Sequence, residues 1–265
     1  MTEIDDVLRI LCVLVHIGAS LWIFLRTVRL LRQNRGSEPC VLFIFAALTY
    51  MMSSLYWLAF VLMNQAARVP FMPSEIADDG QLLLFGATIL SVFRNRRERT
   101  TALIVISTAF VVANTVLWGL WSGEWVKDII GAIPFGIMVY GVLRALKLSG
   151  AFSKRDQVAL GIAAMLLLVL QFASVLVKPP LSGVLDWICY GILFAGLGWF
   201  WHKLHGAWRG TASPEVCLAL AFGTWGWTTC ALYMSAEPIY FAMDLLIALA
   251  AVCMQRALER QVCAS

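Results

Sequence analysis

The residues best suited to chemistry in this sequence are four aspartates that stand at or near the start of apolar segments. They are Asp79, Asp128, Asp186 and Asp244. An acid in the first turn of a helix offsets the positive end of the helix dipole, and this structural role is sufficient for the first three. Asp244 differs because it lies roughly 9 Å along a helix that begins at Pro238. A carboxylate at that depth in a membrane costs about 2–3 kcal/mol or more, which makes Asp244 a candidate functional residue.

Uncharged polar side chains stand at a similar depth in other segments. They include Asn114 and Gln171, together with serine and threonine pairs such as Ser53–Ser54 and Thr228–Thr229. One interpretation is hydrogen bonding between membrane helices. The other is an outward-facing polar cavity, which would suit a cationic or hydroxyl-rich ligand, or a proton. His16, in the middle of the first segment, can relay a proton or simply bond a neighbouring helix.

The sequence contains no pattern typical of a metal site, a known catalytic motif or a cofactor site. The three histidines are dispersed, and the seven cysteines form no CxxC pair, so the sequence predicts no metal site. A GxSxG elbow, an HExxH motif and a Walker loop are missing. The last apolar segment holds no lysine for a retinal Schiff base. The sequence therefore predicts no cofactor.

The composition identifies the elements that must position these residues. Of the 265 residues, 61% are hydrophobic and only 14% are charged, and the mean hydropathy is +0.81. A soluble domain is about 45–50% apolar and about 25% charged. The composition therefore excludes a soluble domain, a disordered chain and a disulfide-rich secreted module, and it predicts a membrane protein.

Charged residues divide the chain into nine apolar segments, and a membrane span of roughly 20 residues fits each of them. Each backbone group in lipid must be bonded within its own segment, so the expected form is helical. The sequence predicts an all-α polytopic membrane protein with a single transmembrane domain over residues 1–265. The expected spans are 8–27, 39–63, 76–94, 100–122, 125–145, 157–177, 183–203, 215–235 and 238–257.

The basic residues predict the orientation of the chain. All but four of the 20 lysines and arginines fall in alternate connections or after the last segment, and the four exceptions are Arg9, Arg68, Lys127 and Lys178. Lys and Arg are retained on the cytoplasmic side of a membrane. We therefore expect an N-terminus outside, a C-terminus in the cytoplasm, and a multi-pass protein of the plasma (inner) membrane.

The apolar segments also suggest an internal repeat. Even-numbered segments are long and uncharged, whereas each odd-numbered segment follows an acid and precedes a base. This pattern predicts one lone first helix followed by four degenerate helical hairpins, each formed by an even segment and the odd segment after it.

Three functions are compatible with these features. The first is a permease or channel for a small solute or proton, with Asp244, Asp186, Asp128, Asp79, Asn114, Gln171 and His16 as the candidate pathway residues. The second is a membrane-embedded receptor or sensor that signals through a membrane or cytoplasmic protein partner. The third is an intramembrane enzyme that uses Asp244 as an acid on a lipid or isoprenoid. The expected partners are the lipid bilayer and anionic lipid headgroups at the basic loops, and nucleic acid is not expected.

Overall fold

The computed structural model describes residues 3–63, 71–96, 101–210, 212–233 and 239–264, which form nine α-helices and no strand. The helices are α1 (Glu3–Gln33), α2 (Glu38–Leu62), α3 (Pro73–Val92), α4 (Thr101–Ser122), α5 (Trp125–Leu148), α6 (Lys154–Leu176), α7 (Leu181–Arg209), α8 (Pro214–Tyr233) and α9 (Ile239–Ala264). The predicted number of nine helices is confirmed for this part of the chain. Residues 100, 234, 235 and 238 of the predicted spans lie outside it, as does Arg68.

Seven of these helices are long and apolar enough to cross a membrane: α1, α2, α4, α5, α6, α7 and α9. Several such helices in one chain are typical of a multi-pass membrane protein. The other two, α3 and α8, are not among them in the part of the chain that the structure describes. That all nine helices cross a membrane therefore stays a prediction.

Ion pairs at one end of the bundle show how the helices alternate in direction. Each pair joins a basic residue late in or just after an odd-numbered helix to an acid at the start of an even-numbered helix or near the end of α9. The pairs are Arg26–Glu259, Arg94–Glu38, Arg96–Glu215 and Lys203–Asp156. We call this the basic end. The opposite end, where α3, α5, α7 and α9 begin, is called the acidic end.

The start of α6 illustrates how local sequence determines a helix end. The Ser153 hydroxyl accepts a hydrogen bond from the Asp156 backbone N–H, and the Asp156 carboxylate accepts one from the Ser153 backbone N–H. This capping box satisfies two of the donors that a helix leaves free. Lys203 then donates to Asp156 over 3.0 Å, which ties α7 to the start of α6.

Helix α3 is less apolar than its neighbours, but it is long enough to pack antiparallel along the full length of α2. Contacts from the acidic end to the basic end join Ser53 with Asp78, Phe43 with Phe85, and Glu38 with Arg94. Helix α8 begins at the basic end with Glu215, and its residues from Cys217 to Trp225 are buried. Helix α8 is thus enclosed by other helices over this stretch, whereas α3 keeps an exposed face that includes Ile76 and Leu83.

Six helices form a closed ring in the order α1, α2, α3, α5, α8 and α9, with α9 packing back on α1. Helix α4 packs on α5, α7 packs on α8, and α6 packs on α7. Aromatic side chains from three ring helices meet inside the ring: Phe43, Phe85, Phe222 and Trp225. Their centroids lie 5.2–6.3 Å apart, the range of edge-to-face packing. We call these four residues the aromatic plug.

The two helices of each predicted hairpin pack against each other, since α2 contacts α3, α4 contacts α5, α6 contacts α7 and α8 contacts α9. The four hairpins nevertheless occupy different places in the bundle, because only the first and last contribute both of their helices to the ring. The internal repeat itself stays a prediction.

Candidate functional site

The site begins with the helical spacing of α1. Its buried residues are Cys12, His16, Ser20, Ile23, Thr27 and Leu30. Steps of three and four residues place them on one face of a helix. That face packs against α2 and α9. His16 therefore points into the bundle, where 8% of its surface is exposed.

Both ring nitrogens of His16 are bound. Nε2 lies 2.9 Å from the backbone oxygen of Asp244 and 3.2 Å from Asp244 Oδ1. The Tyr50 hydroxyl lies 2.5 Å from Nδ1. A carbonyl and a carboxylate can only accept, so Nε2 carries the proton and donates it to Asp244. Nδ1 then accepts from the Tyr50 hydroxyl, and one hydrogen-bonded chain joins α2, α1 and α9.

Asp244 is held inside the bundle. It belongs to the second turn of α9, and its side chain is 17% exposed. The sequence left open whether this carboxylate lies at the outer end of its helix or among the other helices. The contact with His16 shows that the carboxylate lies among the other helices, because a carboxylate facing lipid would have no such partner.

A second carboxylate, Asp78, adjoins this hydrogen-bonded chain. Ser53 lies one turn beyond Tyr50 on α2 and hydrogen-bonds the Asp78 carboxylate on α3. Asp78 also interacts electrostatically with His16 and Tyr50. Two acids, an imidazole and a phenol therefore share one buried region, in which charges interact more strongly than in water.

Tyr240 completes this group. It stands one turn before Asp244 on α9 and interacts electrostatically with both Asp244 and Asp78, and with Arg9 and Cys12 on α1. Its exposed fraction is 37%, so it forms the side of the group nearest the surface. We refer to His16, Tyr50, Ser53, Asp78, Tyr240 and Asp244 as the His16 cluster.

The aromatic plug lies beneath the His16 cluster. Phe43 precedes Tyr50 by seven residues on α2, and Phe85 follows Asp78 by seven residues on α3, so both rings lie about 10 Å nearer the basic end. Phe43, Phe85 and Phe222 are fully buried. Any path from the cluster to the basic end through the ring is thus closed by packed side chains in this conformation.

Asp79 is directed away from the His16 cluster. Successive residues of a helix point about 100° apart, so Asp78 faces α2 while Asp79 faces α5. There the Asp79 Oδ1 lies 3.3 Å from the position that a Cβ on Gly131 would take. Lys127 stands nearby and donates to Glu75 over 2.8 Å and to Glu124 over 3.2 Å. Asp79 thus belongs to a charged contact between α3 and α5.

The remaining predicted residues lie on the flanking helices. Asp128 accepts a hydrogen bond of 2.7 Å from Ser122, within the connection between α4 and α5. Asn114 donates to the Phe110 carbonyl of its own helix over 2.9 Å. Asp186 and Gln171 are half-buried on α7 and α6. The structure therefore brings together His16 and Asp244 and leaves the other five outside the His16 cluster.

Sequence reasoning missed Tyr50, Asp78 and Tyr240. For Tyr50 a signal existed: tyrosines of membrane helices favour the two interfaces, whereas Tyr50 stands in the middle of a long apolar segment. For Asp78 the signal was its adjacency to Asp79, because two neighbouring residues of a helix cannot face the same partner. In both cases the identity of the partner could not be read from the sequence.

Two open grooves of the described surface lie at the basic end, beside arginines of α1 and α9. The outward-facing cavity expected from the sequence stays a prediction. No group of three or more His, Cys, Asp or Glu side chains within the described ranges has the arrangement of a metal site. The chain matches no protein-family model, no curated protein and no solved structure.

Proposed function

We propose that the chain is a small-solute or proton permease in which the His16 cluster binds and releases a proton during each transport cycle. The observation that carries this proposal is the buried chain from Tyr50 through His16 to Asp244, which joins three helices by side chains that can each change protonation state. Buried ionisable residues of membrane helices are characteristic of proton relays.

Buried polar residues favour a pathway through one part of the bundle. Of the 14 buried polar residues described, Ser107, Asn114 and Thr115 lie on α4, and the rest lie on α1, α2, α3, α8 and α9. Those five helices are consecutive around the ring. Hydroxyl and amide groups beyond the cluster, among them Thr27, Thr88 and Gln255, continue this polar lining past the aromatic plug.

Protonation would change the hydrogen bonds that hold these helices together. When His16 gains a proton, both ring nitrogens become donors, and the Tyr50 hydroxyl can no longer donate to Nδ1. Tyr50 must then turn its hydroxyl hydrogen toward another acceptor, and the Asp78 carboxylate, which Ser53 of α2 hydrogen-bonds, is one acid in the cluster that could accept it. Proton uptake therefore alters the contacts between α1, α2 and α9, which is how a local charge can bias a larger movement.

The aromatic plug favours a permease over an open channel. A channel requires a continuous wet pathway, whereas Phe43, Phe85, Phe222 and Trp225 fill the ring below the His16 cluster. A permease exposes its site to one side at a time, so a closed layer in each single conformation is expected of it.

Proton movement in sealed liposomes tests this proposal. Purified chain is reconstituted with a trapped pH-sensitive dye, and a potassium gradient with valinomycin supplies the driving voltage. We expect the wild-type chain to change the internal pH and the variant Asp244→Asn to lower that rate at least about tenfold, because an amide does not gain or lose a proton near neutral pH. Asp186→Asn is the matched control, since Asp186 is also a half-buried aspartate but lies outside the cluster. Equal rates for all three chains would contradict the proposal.

A receptor that acts through a partner is the second candidate, and it is favoured by a different observation. Helices α1 and α9 are tied at two levels, by His16–Asp244 in the bundle and by Arg26–Glu259 at the basic end. A change at the cluster can therefore move the end of α9, where Cys263 is exposed.

Fluorescence from a dye on Cys263 tests the receptor candidate in liposomes. A receptor predicts a pH-dependent emission change that Asp244→Asn abolishes, without any proton movement. A response unaltered by Asp244→Asn would contradict it. The enzyme alternative has no support from the geometry, because Asp244 faces His16 rather than an empty pocket.

A further inference from the structure

The transport proposal does not use an open groove at the basic end, which runs along α1 and continues between α1 and α9. It consists of two adjoining parts of about 350 Å³ and 390 Å³ that share Arg26. The first part is lined by α1 from Trp22 to Arg32, and the second by α9 from Arg256 to Cys263. We call the two parts together the arginine groove.

The floor of the arginine groove is the indole ring of Trp22. Arg26 of α1 lies 5.8 Å from its centroid, and Arg256 of α9 lies 5.9 Å from it. A guanidinium over an indole face is attracted by the ring and keeps its N–H groups free to donate sideways. The ring therefore holds two guanidinium groups from different helices in one place.

The charge in the arginine groove is strongly unbalanced. Five arginines line it: Arg26, Arg29, Arg32, Arg256 and Arg260. Glu259 is the one acid among the lining residues, and it is bound to Arg26 at 3.1 Å through both carboxylate oxygens. Within the described residues, Arg29 and Arg32 have no carboxylate partner, and both are exposed. Guanidinium groups so arranged match an anion with several oxygens, such as a phosphate.

An apolar wall continues from the arginine groove along α1. Leu21 and Leu25 are 44% and 58% exposed, and Leu25 lines the groove itself. From Leu25 to Arg32 the helix rises about 10 Å, so one face of α1 passes from exposed leucine to exposed arginine within that length. A ligand with a phosphate and a hydrocarbon chain would contact both parts, whereas a free phosphate ion would leave the leucines unused.

We propose that the arginine groove is a binding site for an anionic phospholipid. The lipid phosphate lies among Arg29, Arg256 and Arg26, and an acyl chain follows the exposed leucines of α1. Each basic residue near an anionic lipid surface strengthens binding, and a set of them from two helices adds selectivity for headgroup charge.

Lipid titration of the purified full chain in detergent, followed by native mass spectrometry, tests this site. We expect phosphatidylglycerol to bind at least about tenfold more tightly than phosphatidylcholine, because only the former brings a net negative charge. The double variant Arg29→Gln/Arg256→Gln should reduce phosphatidylglycerol affinity about tenfold. The control Lys154→Gln/Arg155→Gln removes the same charge from exposed positions at the start of α6, and should stay within about twofold of wild type. Equal losses in the two variants would contradict the site.

A variant that gains affinity separates binding from folding. Glu259→Gln removes the acid that occupies Arg26 and should raise phosphatidylglycerol affinity about threefold, a result that a misfolded chain cannot give. Unchanged or lower affinity would contradict the proposal. Millimolar inorganic phosphate should fail to displace the bound lipid, and displacement would show that the groove takes a soluble anion instead. None of these outcomes depends on proton transport.

Discussion

At the scale of single residues, the central feature is a histidine whose two nitrogens bond different helices. His16 donates to Asp244 on α9 and accepts from Tyr50 on α2. The ring planes of His16 and Tyr50 are nearly perpendicular, at 86°, which places the edge of one ring against the face of the other. Packing and hydrogen bonding thus hold the imidazole in one orientation, so its protonation is transmitted to specific partners.

Replacement of Tyr50 by Phe tests how much this hydrogen bond stabilises the protein. Phe keeps the ring but removes the hydroxyl, so the buried Nδ1 of His16 loses its donor. An unsatisfied buried polar atom costs about 1–3 kcal/mol. We expect the free energy of unfolding of Tyr50→Phe in mixed micelles to fall by about that amount. Tyr140→Phe is the control, since Tyr140 lies outside the His16 cluster and should change stability by less than about 0.5 kcal/mol. Equal stabilities would show that the Tyr50 hydroxyl contributes nothing.

Helical periodicity explains which single residues could be anticipated. Asp244 and His16 were identified because a charge or an imidazole in an apolar segment is costly unless it has a partner. Asp78 was overlooked in favour of Asp79, although only Asp78 faces α2. Helical geometry implies that the two neighbouring aspartates face different directions. The rotation of α3 within the bundle determines which of them faces α2.

At the scale of the elements, the contact of α3 with α5 depends on small residues. A Cβ on Gly86 would lie 2.9 Å from the Met138 backbone nitrogen, and a Cβ on Gly141 would lie 2.8 Å from Ile89 Cγ2. The two helices therefore approach so closely that side chains larger than hydrogen do not fit at these points. Close backbone approach of this kind is the principal means by which membrane helices gain packing energy.

Substitution of Gly86 by Ala tests this close approach. Elsewhere in a helix Gly→Ala is favourable by roughly 1 kcal/mol, because glycine has the greater backbone entropy to lose. At Gly86 the added methyl group meets backbone, which cannot turn aside, so we expect a net loss of about 1–3 kcal/mol in unfolding free energy. Gly161→Ala is the control, since a Cβ there meets nothing within 4 Å. If both variants were stabilised equally, the packing of α3 on α5 would be wrong.

The elements also show why hydropathy alone underestimates the helix count. Helices α3 and α8 belong to the ring, with Gln81 and Thr88 buried on the first and Thr224 and Thr228 on the second. Because these polar side chains face protein, the two helices can carry them without cost. The spacing of charged residues predicted both helices nevertheless, because it depends on where the segments end.

At the scale of the whole molecule, the number of crossings determines which loops share a side. If all nine helices cross, the connections after α1 and α5 lie on one side of the membrane and the connection after α4 on the other. If only the seven most apolar helices cross, α3 no longer reverses the chain, and the connections after α1 and α4 share a side instead. The contacts of α3 along the whole of α2 support a crossing by α3.

Labelling of introduced cysteines distinguishes these two topologies. Arg35→Cys, Ser122→Cys and Arg155→Cys are each made in a Cys263→Ser background, and all three positions are exposed. An impermeant maleimide is then applied to sealed vesicles of one orientation. We expect the cysteines at 35 and 155 to be either both labelled or both protected, and the cysteine at 122 to give the other result. Matching reactivity at 35 and 122, with 155 opposite, would show that α3 does not cross and would contradict nine crossings.

Composition and charge spacing were enough to predict an all-α membrane protein, its nine helical segments and the separation of acidic from basic ends. Those features depend on local composition, because a backbone in lipid must bond itself and each charge must reach water or a partner. The contact of residue 16 with residue 244, and the proximity of Asp78 rather than Asp79 to both, became apparent from the folded arrangement of the helices. Such pairings depend on how nine helices are ordered and rotated around one another, and that arrangement arises from packing between segments far apart in the chain.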